Sequence, residues 1–212
     1  MAGYRRHFAQ SMDDTEGKVI ELFAMIAEDL PAATQALLGG GAEAVTALAG
    51  RERVIDALYV EVEQLAGREI LLQAPVGPDL RFLLTVLRIV PELERSHDLV
   101  MDIAARAGRF RDADLSAGSR EFARRMADLA SGMWRQAVDA WYSRDRSAVT
   151  AIGESNRQMA ELHAALTAEI ASGQIPVRAT MEMTLAARDY ERLGAHAVDI
   201  ARRVAYLAGR RG

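Results

Sequence analysis

Glu94-Arg95-Ser96-His97-Asp98-Leu99-Val100-Met101-Asp102-Ile103-Ala104 returns 97 residues further on (94 to 191) as Glu191-Arg192-Leu193-Gly194-Ala195-His196-Ala197-Val198-Asp199-Ile200-Ala201. The second copy keeps the Glu-Arg start and the apolar-Asp-Ile-Ala end and alters the middle. A repeat at this distance in a chain of 212 residues means two copies of one structural unit. The repeated stretch is acidic and sits inside apolar, helix-like sequence.

Alanine, leucine, arginine and glutamate dominate the rest of the chain. These are good helix formers, and strand signals are almost absent. Glycine, proline and polar clusters punctuate the sequence. They predict helices over residues 4–38, 42–72 and 78–107 in the first half, and over 119–143, 145–171 and 175–208 in the second. Gly39-Gly40-Gly41 and Ser172-Gly173-Gln174 read as helix stops, and Pro78 suits a first helical turn. Pro31 falls inside the first predicted helix and should kink or interrupt it, because proline removes a backbone donor, and Pro91 inside the third predicts a kink just before the acidic turn. A further break is expected near Gly50. The expected fold is all-α, with two tandem three-helix bundles of six long helices related by an internal pseudo-two-fold repeat. The units span residues 1–110 and 117–212. Helices this long need a stripe buried against neighbours.

Composition bounds function. Half the residues are hydrophobic and 26% are charged, which is ordinary for a globular protein. A net charge of −4 argues against nucleic acid as a partner, since phosphate backbones call for a basic surface. With no cysteine, thiolate metal sites, disulfides and thiol nucleophiles are excluded. The sequence has neither a signal-peptide pattern at Met1–Gln10 nor an apolar run near the roughly 20 residues of a membrane span. A cytoplasmic protein that meets the membrane only through partners is expected.

Advancing 100° per residue along the third predicted helix places Leu80, Leu83, Leu84 and Leu87 on one face. Glu94, Asp98 and Asp102 continue on that face. The apolar stripe is thus expected to become a carboxylate stripe on the inner flank. On the sixth helix Val177, Met181 and Thr184 lead in the same way to Glu191, Ala195 and Asp199. Carboxylates turned inward must be neutralised. Arginine pairing would serve at Asp102–Arg106 and Asp199–Arg203, which have i, i+4 spacing. Hard metal ions would also serve, with Glu94, Asp98, Asp102, Glu191 and Asp199 as candidate ligands. An open, hydrated groove is the third solution.

The stretch Leu71-Leu72-Gln73-Ala74-Pro75-Val76-Gly77-Pro78-Asp79-Leu80-Arg81, with Glu92-Leu93-Glu94-Arg95 and Asp98 downstream, resembles the PhoU family of phosphate-transport regulators. So do Tyr190-Glu191-Arg192 and His196-Ala197-Val198-Asp199-Ile200-Ala201-Arg202-Arg203-Val204. The resemblance runs over nearly the whole chain. It implies two three-helix bundles and a homodimer. It also implies a regulatory role with the ATPase subunit of the phosphate ABC importer and a membrane sensor histidine kinase, holding phosphate-starvation genes off. Some members carry iron or other metal clusters on a Glu/Asp-x-x-x-Asp motif in each repeat. That motif falls on Glu94 and Asp98, with Asp102 one turn on, and in the second copy on Glu191 alone, because Ala195 stands where the family has aspartate. The family's acid-rich second helix survives here as Glu52 and Asp56, whereas residues 154–160 have lost most of it.

Two other readings compete with a non-catalytic adaptor. Glu94-x-x-His97 has the spacing of a di-iron carboxylate bundle, but that site needs the motif twice, and the second copy reads Glu191-x-x-Gly194. The other is a helical scaffold of the same family with a different target. His97, His163 and His196 read as helix-surface histidines. Trp134 and Trp141, two turns apart, read as core or a dimer seam. Arg202, Arg203, Arg210 and Arg211 suit a helix C-terminus, or contact with an anionic partner. There is no phosphate-binding Gly-rich loop and no nucleophile elbow.

Overall fold

The described residues fold into six α-helices: α1 Ala2–Gly39, α2 Ala42–Gln73, α3 Gly77–Ala105, α4 Ala117–Ser143, α5 Ala148–Ala171 and α6 Val177–Ala208. The structure is a computed structural model that describes residues 2–39, 41–111, 114–172 and 175–209, with side chains at all of these except 2–5, 42 and 44. Gly40, Gly173, Gln174, Arg210 and Arg211, read above as punctuation or tail, lie outside the described residues. No helix of the described residues is long and apolar enough to cross a membrane.

Local chemistry sets the helix ends. Pro78 occupies the first turn of α3, where its missing N–H costs nothing. Ala74 closes α2 in the left-handed conformation, and Gly77 at φ 62° completes that turn without a Cβ clash. Ser116 caps α4 by accepting a 2.9 Å hydrogen bond from the Ser119 N–H. The expected interruption at Pro31 and the break near Gly50 do not occur. Pro31 and Pro91 lie inside continuous helices, and α2 runs unbroken through Gly50. A single lost hydrogen bond is outweighed where the helix buries residues on either side, as Leu30 and Ala33 do around Pro31, and Val90 and Leu93 around Pro91.

Each half is a three-helix unit. In the first, Lys18–Glu61, Arg51–Glu28 and Ser11–Glu69 join α1 and α2 in antiparallel order. The two halves meet along α3 and α6, which also run antiparallel: Arg81 stacks on Tyr206, Ser96 meets His196, and Arg106 meets Asp189. These two helices are the repeat equivalents, so the internal two-fold passes between them. Helices α1 and α4 close the other side. Phe23 packs on Trp134 and Trp141 with centroids 6.2 and 6.1 Å apart, and Phe82 on Trp141 at 6.0 Å. Both tryptophans are fully buried, so they belong to the core. Each such side chain contributes about 2–3 kcal/mol of burial, with more from ring geometry. The core is therefore continuous across both halves.

Candidate functional site

The acidic repeat does not face the core. The buried stripe of α3 runs through Val86, Ile89, Val90, Leu93, His97, Val100 and Ile103. Glu94 is half-buried, and Asp98 and Asp102 are exposed on the flank beside it. The expected inward stripe is counted from Leu80, itself only half-buried near the helix start, and so is rotated off the true core face. Burying unpaired carboxylates would cost several kcal/mol, so the fold turns them to the furrow between α3 and α2.

In that furrow they meet other acids. Burial and the negative charges of Asp98, Asp56 and Glu63 raise the Glu94 carboxyl above its ordinary range. Burial and the nearby Asp102 and Asp56 raise Asp98, with His97 pulling the other way. Burial, together with the nearby carboxylates of Glu63 and Glu94, raises the Tyr59 phenol. Glu63 and Tyr59 escape a sequence reading that follows the motif along one helix. Asp56, Tyr59 and Glu63 share an i, i+3, i+7 stripe on α2 that would have exposed them. Of the acids assigned to α2, Asp56 is in the furrow, whereas Glu52 is not among the charges acting on Glu94 or Asp98. Arg95, the cation beside Glu94, is taken by Glu92.

The set is entirely hard oxygen, which suits a divalent or trivalent cation and no soft metal. As the side chains lie, no three His, Asp or Glu among the described residues converge closely enough to share one ion. Glu94, Asp98 and Asp56 would have to swing toward one another for one to be held.

The second copy is built differently. The groove between α5 and α6 encloses about 280 Å³ and is lined by Asn156, Ala160, Arg188, Glu191, Arg192 and Ala195. Shifted back by 97 residues, these positions are Tyr59, Glu63, Pro91, Glu94, Arg95 and Asp98, the neighbourhood of the first furrow. The same shift takes Gly153 to Asp56. Three carboxylate positions have thus become Gly153, Ala160 and Ala195. The remaining Glu191 pairs with Arg188 at 3.2 Å, and Asp199 with Arg202 at 2.7 Å.

The expected arginine partners also differ. Arg106 does not turn to Asp102. It crosses the seam to Asp189 at 2.9 Å and Glu182 at 3.3 Å, and Asp199 chooses Arg202 over Arg203. His97 is not on the surface: it is 2% exposed and faces the 1% exposed Asp29 of α1, which Arg51 holds at 2.8 Å. Pointing away from the furrow, it cannot join Glu94 in a di-iron set. His196 is partly buried at the α3–α6 seam, its Nδ1 2.8 Å from the Ser96 Oγ. Ser96 gives its own proton to the Glu92 carbonyl, so Nδ1–H is the donor to Ser96.

Fold and furrow together define an all-helical, internally duplicated protein with a carboxylate-lined surface on one half and no assembled catalytic constellation among the described residues. The chain belongs to the PhoU domain family, whose model matches residues 19–107 and 123–204. It is 29% identical over 207 residues to the phosphate-specific transport system accessory protein PhoU homolog of Synechocystis, covering 96% of this chain and 92% of that one. It is 26% identical over 207 residues to PhoU homolog 2 of Mycobacterium tuberculosis, covering 96% and 97%. The crystal structure of PhoU from Pseudomonas aeruginosa superposes with a TM-score of 0.88 at 19% identity, covering 94% of this chain and 98% of that one. That of the phosphate transport system regulatory protein PhoU from Streptococcus pneumoniae gives 0.86 at 21%, covering 95% and 97%. Both share its fold.

Proposed function

We propose that this chain is a non-catalytic accessory protein of a phosphate transport system. It acts in the cytoplasm as a homodimer that binds the importer's ATPase subunit and a sensor histidine kinase. The observation that carries the reading is the PhoU family match over both halves. An adaptor of this kind works by differential affinity: it binds the two states of its partner unequally and so shifts their populations.

The α2–α3 furrow is the candidate regulatory surface. Glu94 and Asp98, with Asp56 and Glu63 opposite and Asp102 one turn on, gather negative charge beside an arginine that Glu92 already engages. A hard cation such as iron, or a basic segment of a partner, would relieve that repulsion. Glu191 and Asp199 are left out of this proposal, because each already has an arginine.

The test is capture of the purified importer ATPase subunit and the kinase on this protein, with phosphate-starvation reporter expression in a deletion strain. Binding of either partner together with a reporter that stays on in rich phosphate supports the proposal. A deletion strain with normal reporter control and no capture of either partner overturns it.

A further inference from the structure

The second groove keeps the backbone of the first furrow and reverses its charge. Where the first has Asp56, Glu63 and Asp98, the second has Gly153, Ala160 and Ala195. The acid that survives, Glu191, is neutralised by Arg188. Arg192 also lines the groove and has no ion pair or hydrogen bond among the described residues. At the Tyr59 position stands Asn156, whose amide adds donors. Its Oδ1 leans over Gly194, 2.7 Å from where a Cβ would be, so the absence of a side chain at Gly194 is what lets Asn156 reach in.

We infer that the α5–α6 groove is an oxyanion site rather than a second cation site. Arg188 and Arg192 are one helical turn apart and face the same concavity, an arrangement that brackets a phosphate or carboxylate group between two guanidinium forks. The groove's formal balance is two arginines against one glutamate, whereas the first furrow sets four carboxylates (Asp56, Glu63, Glu94, Asp98) against an arginine already engaged by Glu92. The positive charge of Arg192 reaches the seam as well, since it is one of the influences holding the His196 imidazole below its ordinary range. The inference stands whether or not the first furrow takes a metal.

Three probes separate the grooves and the source of the anion. Inorganic phosphate and a hexaglutamate peptide are each titrated calorimetrically into the full chain, and terbium(III) luminescence is followed in parallel. Arg192→Ala is expected to weaken binding of the anion that the wild type takes by about tenfold, and Glu191→Gln to strengthen it severalfold by freeing Arg188. Binding of phosphate assigns the site to a free anion, and binding of the peptide alone assigns it to a partner's acidic segment. Neither substitution should change terbium binding, which Glu94→Gln with Asp98→Asn should remove if the first furrow takes cations. The inference fails if neither anion binds, if anion binding ignores Arg188→Ala and Arg192→Ala, or if Glu191→Gln abolishes a terbium site.

Discussion

The two helical furrows share a backbone and differ in what their side chains ask for. In the α2–α3 furrow four carboxylates crowd together and repel, and two of them are raised above their ordinary range by burial and by that repulsion. In the α5–α6 groove three of those positions are small and the remaining acid is paired. Beneath the surface the halves diverge again. Asp29 and His97 form a polar contact under the first furrow, whereas Met133 and Asn156 close over Gly194 in the second. The lesson is that a duplicated fold can keep its helices in register chiefly through the buried apolar stripe. Charge on the flank is free to change sign, because flank residues contribute little to packing.

The sharpest way to break this contrast is to move His97 into the second half. Gly194→His needs room that the Asn156 side chain and the Met133 methyl occupy, at 2.7 and 3.4 Å from where the new Cβ would sit. It should cost about 3 kcal/mol, read as a lower thermal midpoint. Removing the first half's own polar contact comes next. Asp29→Ala removes the carboxylate that buried His97 faces at 3.5 Å, takes one partner from Arg51, and should cost about 2 kcal/mol in a urea titration.

The furrow acids should respond with the opposite sign to their counterpart. Glu94→Gln or Asp98→Asn relieves an i, i+4 like-charge pair and should stabilise the metal-free protein by a few tenths of a kcal/mol, while Glu191→Gln gives up its Arg188 pair and should not. Proton linkage adds a slope. The folded chain holds the Glu94 and Asp98 protons more tightly than the unfolded chain does. Their contribution is complete below the ordinary carboxylate pKa of about 4 and fades as pH rises through the raised folded values. Urea midpoints across this window should show that loss in the wild type and not in the double variant.

The smallest expected effect is at the seam between the halves. Burial, the largest influence, holds His196 below its ordinary range, against the pull of Glu92. Its contribution to stability is therefore present above the unfolded value of about 6.5 and declines as pH falls through the depressed folded one. Proton NMR titration of the imidazole should give a midpoint below that of a histidine in an unstructured peptide, and His196→Gln should flatten this part of the stability profile.

The helices are legible in the sequence because helix formers and breakers act locally. The turn from Gln73 to Gly77 ends α2 where its chemistry requires, α1 ends at Gly39, and the 97-residue repeat implies the paired architecture. Pro31 does not break α1, because tertiary burial around Leu30 outweighs one missing hydrogen bond. Candidate residues that share a single helix, such as Glu94 and Asp98, are readable from spacing. Their true facing is not, since it depends on which neighbours α3 packs against. Nor are the partners of Arg106, whose Asp189 lies 83 residues away across the seam. Burial of His97 likewise depends on α1, which no local pattern in α3 reports.

The ring cluster of Phe23, Phe82, Trp134 and Trp141 draws on helices from both repeats. Cutting the chain between α3 and α4 would thus yield two fragments with half an aromatic nest each, neither a self-sufficient body. Co-expressed, they should reassemble; alone, each should expose greasy rings and aggregate. Gene duplication here has left the copies chemically divergent yet mechanically inseparable.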